Sequence, residues 1–176
     1  MNNLLDRPIP DCYWVEPGRF MAGEYPGHPN AEQTVQRIHA FLQAGFDTFF
    51  DLTHVGELEP YESLLYEYDQ NQLGRTISYQ RFPIGDYGLP AILLMTNILD
   101  NIDSALSSGH KVYLHCWGGV GRTGTVVGCY LVRNGKTGEQ ALHQLEKWWQ
   151  AVPKHAYFPR SPETDAQVQF ILNWKK

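Results

Sequence analysis

The sequence predicts an α/β fold in a single domain spanning residues 1–176, with a mostly parallel central sheet flanked by helices on both faces. Three observations predict this fold class. The chain has 176 residues, 43% of them hydrophobic, which suits one core of ordinary size. Short runs typical of strands alternate with longer runs at helical spacing, which favours parallel pairing through right-handed crossovers. A tight, glycine-bearing loop follows one strand-type run, residues 111–114, and precedes an apolar run of helix length, residues 125–132.

The N-terminal part is predicted to contain an arm, a strand and a helix. Residues 1–17 are rich in proline and aromatic side chains, so we expect an extended arm anchored by Trp14. Residues 19–23 favour a short strand. Asn30 is placed to cap a helix that ends near Gly45.

A second strand, a helix and a third strand follow. Residues 46–52 are typical of a buried strand, residues 61–72 have helical spacing, and residues 76–82 alternate in the manner of a strand. The loops that follow parallel strands are expected to rim one crevice. His54 comes directly after the first of these strands, and we expect it to be a structural histidine.

The C-terminal half is predicted to be mainly helical. Pro90 suits the first position of a long helix. Thr137 and Gln140 have the spacing of a capping box. Ser161 and Pro162 favour the N-cap and first position of the last helix.

The segment HCWGGVGRTG, residues 115–124, contains the candidate chemistry. Five residues separate Cys116 from Arg122, enough to curl the loop so that successive backbone N–H groups form an oxyanion cradle at a helix N-terminus. The helix macrodipole, these N–H groups and Arg122 favour the thiolate form of Cys116. Thr123 can donate its hydroxyl to the sulfur. The residues expected to bind the phosphate are Trp117, Gly118, Gly119, Val120, Gly121 and Arg122.

Asp86 is the candidate general acid. Thiolate attack on a phosphate ester is held back by the alkoxide leaving group, so a carboxylic acid that protonates this oxygen accelerates the reaction about 10² to 10⁴-fold. Asp86 follows a predicted strand and lies in a loop, PIGDYGLP, that can approach the cradle. The alternative is a loop aspartate that forms an Asx-turn.

These motifs resemble those of a known family. The pattern H-C-x5-R-[ST] resembles the signature of cysteine-dependent protein tyrosine and dual-specificity phosphatases, and HCWGGVGRTGT is similar to their atypical single-domain branch. PIGDYGLP is similar to the family's general-acid loop, with its aspartate at Asp86. Residues 14–26 and 161–167 also resemble family segments. In the second segment tyrosine-specific members carry a water-positioning glutamine, but for Gln167 we expect a capping role.

The residues and the resemblance together imply a metal-independent phosphomonoester hydrolase that acts through a phosphocysteine intermediate. Cys116 attacks phosphorus, Arg122 holds the phosphoryl oxygens, Asp86 protonates the leaving group and then activates water, and Thr123 eases departure of the thiolate. No cofactor is required. The resemblance implies a protein tyrosine or dual-specificity phosphatase. The alternatives are a phosphoinositide or inositol phosphate phosphatase, against which the loop's lack of lysine argues, and a non-catalytic pseudophosphatase.

Composition limits the partners and the compartment. The net charge is −5 with no basic run, so no nucleic-acid partner is expected. No apolar run reaches 18 residues, so no membrane insertion is expected. Three cysteines without paired spacing predict neither a disulfide scaffold nor a metal site. We expect a cytoplasmic monomer whose partner is a phosphorylated protein or a small phosphomonoester.

Overall fold

The structure, a computed structural model, describes residues 7–72 and 76–175. It contains a five-stranded sheet in the order β1-β2-β5-β3-β4, in which β1 is antiparallel to β2 and the other neighbours are parallel. The strands are β1 (Cys12–Glu16), β2 (Phe20–Gly23), β3 (Thr48–Asp51), β4 (Ser78–Arg81) and β5 (Val112–His115). The helices are α1 (Ala31–Gln43), α2 (Glu62–Gln72), α3 (Ile92–Ser107), α4 (Gly121–Arg133), α5 (Gly138–Gln150) and α6 (Asp165–Asn173), and residues Pro153–Ala156 form a short 3-10 helix.

Helices cover both faces of the sheet, as the sequence predicts. Successive side chains of a strand point to opposite faces, and β5 shows the result. Val112 and Leu114 pack with residues of α3 to α6 in the larger core. Tyr113 packs with residues of α1 and α2 in the smaller one. The predicted α/β fold with its mostly parallel sheet is therefore confirmed, and β5 lies at its centre.

Part of the predicted N-terminal arm forms the edge strand of the sheet. Residues 12–16 form β1, which pairs antiparallel with β2. The Trp14 ring stacks on Phe46 with the ring centroids 5.8 Å apart. This edge strand covers β2, the neighbour of β5.

Two predicted helix starts are wrong. The long helix does not begin at Pro90, because Ala91 is its N-cap in an extended conformation and the helix begins at Ile92. The last helix is not capped by Ser161, whose hydroxyl donates to the carbonyl of Val120 instead. Thr164 caps that helix in a capping box with Gln167.

The capping box of Thr137 and Gln140 is confirmed, and so is the cap of α1 by Asn30, whose side chain accepts from the Gln33 N–H.

Within the part of the chain that is described, none of the helices has both the length and the apolar character that crossing a membrane requires.

Close packing of α4 against α6 predicts a destabilised variant. A Cβ added to Gly128 would lie 2.2 Å from Ile171 Cδ1, and Ile171 is fully buried. Overpacking of this kind costs about 1–3 kcal/mol, which exceeds the helix-propensity gain of about 1 kcal/mol over glycine. We therefore expect Gly128→Ala to lower the free energy of unfolding measured in urea.

Gly85→Ala is the control, because nothing lies within 4 Å of a Cβ there. A Gly128→Ala variant as stable as the wild type would contradict this account of the contact between α4 and α6.

Candidate active site

The loop between β5 and α4 forms the base of the site. Strand β5 ends at His115, and Cys116 follows at once; α4 begins at Gly121. Cys116 is 3% exposed and Arg122 is 2% exposed, so both the sulfur and the guanidinium are shielded from bulk water. The N-terminus of α4, a helix that is almost entirely buried, thus lies five residues after the cysteine.

Groups outside the loop hold its backbone carbonyls. The carbonyl of Trp117 accepts from the Tyr25 N–H (2.9 Å), that of Gly118 from Lys154 Nζ (3.2 Å) and that of Val120 from Ser161 Oγ (2.7 Å). In a trans peptide unit the C=O and the following N–H point in opposite directions. The N–H groups of Gly118, Gly119 and Gly121 are therefore turned away from those partners, as an anion cradle requires.

Arg122 is held by the loops that follow β3 and β4. Its Nη1 donates to Glu57 Oε2 at 2.9 Å and its Nη2 to Glu57 Oε1 at 2.6 Å, a two-point contact. Nη1 also donates to the carbonyl of Ile84 at 3.0 Å, and Nη2 lies 3.2 Å from Asp86 Oδ1. These contacts fix the plane of the guanidinium beside the loop of Cys116.

The charge of Glu57 follows from this contact. Burial disfavours the carboxylate, but hydrogen bonds from Arg122 and from the His54 N–H outweigh it, so the pKa of Glu57 is lowered. Burial also disfavours the charged guanidinium, yet its bond to Glu57 leaves the pKa of Arg122 raised. Both groups are therefore charged at neutral pH.

One cavity of about 350 Å³ brings most of the predicted residues together. Asp86 lies in the loop after β4 with its side chain half exposed, and its Oδ1 accepts from the Tyr87 N–H at 3.1 Å. Predicted residues that line the cavity are Asp86, Cys116, Trp117, Gly118, Val120, Gly121 and Arg122.

Two predicted residues lie behind the cavity wall. Thr123 is fully buried, and its hydroxyl donates to the carbonyl of Gly23 at 3.5 Å. Gly119 has a φ of +74°, and a Cβ there would lie 2.5 Å from the carbonyl carbon of Gly23. The loop can therefore follow this path against β2 only with glycine at position 119.

A buried polar network lies beneath the cysteine. Nε2 of His115 and the hydroxyl of Tyr61 are 2.6 Å apart, and Nδ1 lies 3.2 Å from the carbonyl of Cys116. Complete burial lowers the pKa of His115. The carboxylate of Asp51, 3.9 Å from Nδ1, accepts from Thr53 and from the hydroxyl of Tyr79. The network fixes the end of β5 from β3 and from the residue that precedes α2.

Sequence reasoning missed Glu57 and several other residues around the cavity. Glu24, Lys154 and Glu163 also line it. Burial and the nearby carboxylate of Asp86 raise the pKa of Glu163. The signal for Glu57 was available, since it follows β3 and the loops after parallel strands share one edge of the sheet.

His54 is not the structural histidine that we expected, because the residue is exposed and contacts the site only through its backbone N–H, which donates to Glu57 Oε2 at 3.0 Å. Gln167 belongs to the capping box of α6, as expected, and its Nε2 also donates to the carbonyl of Gly88 at 3.3 Å. Gln167 therefore ties the last helix to the loop that contains Asp86.

The other cysteines are buried in the core. Cys12 lies on β1, two strands from β5, so about 10 Å separates it from the strand of Cys116. That separation exceeds what a disulfide spans. Burial raises the pKa of Cys12 to about 12 and raises that of Cys129 as well. Among residues 7–72 and 76–175, no three metal-ligating side chains are grouped to hold an ion.

An anion cradle between a central strand and a helix, with a cysteine at its base, is typical of cysteine-dependent phosphatase domains. A family model described as "Swiss Army Knife protein, DSP-PTPase phosphatase domain" matches residues 10–171. The chain belongs to this dual-specificity and tyrosine phosphatase family, as the sequence motifs led us to expect.

Similar proteins agree with this family. The chain is 34% identical over 96 residues to an Arabidopsis thaliana protein named phosphatidylinositol 3,4,5-trisphosphate 3-phosphatase and protein-tyrosine-phosphatase PTEN1, covering 52% of this chain and 23% of that one. It is 36% identical over 114 residues to a putative tyrosine phosphatase of Invertebrate iridescent virus 3, covering 61% and 41%. The chain thus spans less than half the length of these two relatives.

Solved structures share the fold. The active form of Tk-PTP superposes with a TM-score of 0.69 at 23% identity, covering 92% of this chain and 94% of that one. A kinase associated phosphatase with its catalytic cysteine changed to serine gives a TM-score of 0.70 at 21% identity, covering 92% and 90%. At these identities the likeness concerns the fold.

Substitution by alanine should affect anion binding differently at the two neighbouring glycines of the cradle, Gly118 and Gly119. We expect Gly119→Ala to weaken binding of orthovanadate, a phosphate mimic, roughly tenfold or more, because alanine at positive φ is strained and its Cβ meets the backbone of Gly23. At Gly118 a Cβ would lie 3.4 Å from Val120 Cγ2, an ordinary contact, so Gly118→Ala should lose much less affinity. Equal losses in titrations of the two variants would contradict the described path of the loop.

Removal of the Glu57 carboxylate should lower the stability of the protein in a pH-dependent way. Glu57→Gln leaves the buried Arg122 without its carboxylate and should lower the free energy of unfolding by about 1–2 kcal/mol at pH 7. Because the pKa of Glu57 is lowered from 4.5, its contribution is complete above pH 4.5 and is lost as the pH falls below that value.

Urea unfolding at several pH values between 7 and 3 measures this difference, because the deficit should shrink only below pH 4.5. Glu32→Gln, an exposed change on α1, is the control. A Glu57→Gln deficit that stays constant, or grows, as the pH falls would show that the carboxylate charge is not responsible.

Proposed function

We propose that this chain is a metal-independent phosphomonoester hydrolase that acts through a phosphocysteine intermediate. The observation that carries the proposal is the convergence on one cavity of Cys116 and Arg122, from the segment that follows β5, and Asp86, from the loop that follows β4. The cavity combines a nucleophile, a two-pronged cation and a carboxylic acid. These are the groups that phosphoryl transfer by a thiolate requires.

In the first step, the thiolate of Cys116 attacks phosphorus and forms the S–P bond while the bond from phosphorus to the ester oxygen breaks. The inward N–H groups of the loop and Arg122 stabilise the negative charge on the three equatorial oxygens. The carboxylic acid of Asp86 gives its proton to the departing oxygen, so that an alcohol or phenol leaves.

In the second step, water attacks the phosphocysteine. The carboxylate of Asp86 takes a proton from this water, the S–P bond breaks, and the electron pair returns to the sulfur. Inorganic phosphate leaves and the thiolate is regenerated. In the described conformation the Thr123 hydroxyl faces the carbonyl of Gly23, so a role in easing thiolate departure requires that hydroxyl to rotate toward the sulfur.

A phosphorylated protein is the substrate class we propose, with phosphotyrosine and phosphoserine or phosphothreonine side chains as the reacting groups. Family membership supports it. Exposed aromatic side chains at the mouth, Tyr87, Trp117 and Phe158, offer surfaces for a phenyl ring or a peptide.

A phosphoinositide is the second candidate substrate. The printed name of the Arabidopsis relative includes a phosphatidylinositol trisphosphate phosphatase, and PTPMT1 has been solved in complex with PI(5)P. Against this candidate, Asp86 and Glu163 line the cavity, residues 117–121 contain no cation, and Lys154 of the lining is already paired with Glu24. Carboxylates at the mouth disfavour a ligand that carries several phosphates.

Hydrolysis of para-nitrophenyl phosphate against pH, in EDTA, tests the mechanism. We expect turnover by the wild type and none by Cys116→Ser, which lacks the nucleophile. Asp86→Asn should lose at least about tenfold, because it cannot donate a proton, and its alkaline limb should flatten. Asp100→Asn, on the exposed face of α3, is the matched control.

An inactive wild type that still binds vanadate would favour the non-catalytic alternative. Full activity of Cys116→Ser would exclude the phosphocysteine intermediate.

A further inference from the structure

A second cavity adjoins the candidate active site. It has a volume of about 320 Å³ and lies between the segment after β2, helix α1 and the loop after β3. Trp117 and Glu24 line both cavities. The Trp117 side chain is 57% exposed, so the indole forms a ridge between the two. Neither the motifs nor the proposed mechanism uses this second cavity.

Two charged side chains that line the second cavity, Glu24 and Arg37, are paired with each other, and Glu24 also contacts Lys154 of the first cavity, whereas Glu59 of the lining is exposed. Glu24 Oε1 lies 3.1 Å from Arg37 Nη1, and Glu24 Oε2 lies 2.5 Å from Lys154 Nζ. The three side chains are between 15% and 25% exposed. Arg37 Nη1 also donates to the carbonyl of Gly27 at 3.3 Å. An anionic ligand would have to break this arrangement.

Other polar groups of the lining are engaged as well. The hydroxyl of Tyr25 donates to the carbonyl of Glu59. Nδ1 of His28 accepts from the Asn30 N–H at 3.0 Å. An apolar ligand group would therefore not leave these polar groups of the cavity without a hydrogen bond.

Apart from Gly27 and the exposed Glu59, the rest of the lining is apolar. Leu58, Pro29 and the faces of the Tyr25 and Trp117 rings contribute it. Leu58 is partly buried against the smaller core, and Tyr25 is 7% exposed, so this surface is firmly supported from below. Apolar and aromatic walls with satisfied polar groups are typical of a pocket for an apolar side chain.

We propose that the second cavity binds an apolar or aromatic residue that flanks the phosphorylated residue of a peptide substrate. This inference rests on the proposed function for its choice of ligand. In an extended peptide, side chains two positions apart point the same way and lie roughly 7 Å apart, a distance comparable with the width of one indole ring. When the phosphorylated side chain of a peptide occupies the first cavity, a side chain one or two positions away therefore lies on the other side of Trp117, at the second cavity.

Binding to a Cys116→Ser variant tests this inference without requiring turnover. The probes are free phosphotyrosine, which occupies the first cavity, and fluorescent phosphotyrosine peptides with alanine, leucine, phenylalanine, lysine or aspartate at one flanking position at a time. We expect leucine or phenylalanine at one position within two residues to tighten binding about tenfold over alanine, the discrimination typical of a hydrophobic pocket.

Leu58→Ala in the same background removes part of the wall. We expect the preference for the apolar residue to fall to roughly threefold or less, while the dissociation constant of free phosphotyrosine reports whether the first cavity is intact. Leu93→Ala, an exposed leucine on α3 that lines neither cavity, is the matched control.

Three results would overturn the inference. They are equal binding of all peptides, tighter binding of aspartate-flanked or lysine-flanked peptides than of apolar ones, and tighter binding of a short-chain phosphoinositide than of any peptide. Because hydrolysis plays no part in the assay, an apolar preference in a chain that proves inactive on para-nitrophenyl phosphate would refute the proposed catalysis and support the second cavity.

Discussion

Compensation of one buried positive charge organises the candidate active site. Arg122 is 2% exposed, and an isolated cation at such a place is strongly disfavoured. Glu57 compensates it from the loop after β3, while the carbonyl of Ile84 and the carboxylate of Asp86 contact it from the loop after β4. Arg122 itself follows β5. One guanidinium therefore joins the three loops that the parallel sheet brings to the same edge.

The cysteine depends on a second set of buried contacts, below the first. His115 carries no formal charge at neutral pH, because burial lowers its pKa, so it acts through hydrogen bonds. Tyr61 contacts it from the position directly before α2, and Asp51 lies beside it at the end of β3. Partners on separate elements restrict the histidine ring, and the adjoining backbone of Cys116 is restricted with it. The loop thus begins from a fixed point.

Local sequence predicted the fold and the cradle, because both follow from short-range patterns. The segment 115–124 contains the cysteine, the arginine and the turn glycines in one stretch, and strand–helix alternation implies the parallel sheet. Glu57 was not predicted: its place after β3 puts it at the right edge of the sheet, but no local pattern joins it to a residue 65 positions further along the chain. Ser161 shows the same limit. As an N-cap type it suited a helix start, but tertiary contact with the carbonyl of Val120 took its hydroxyl.

Negative charge on the protein repels a phosphate dianion that enters the cavity. The net charge is −5, and Asp86 Oδ1 lies 3.2 Å from Arg122 Nη2, beside the place where phosphoryl oxygens would bind. In the proposed reaction, the guanidinium of Arg122 and the N–H groups of the loop attract the dianion to the base of the cavity. Asp86 gives its proton to the departing oxygen in the first step, and the carboxylate that remains takes a proton from the attacking water in the second. Departure of the alcohol therefore leaves Asp86 in the form that the second step requires, so that one side chain serves both steps.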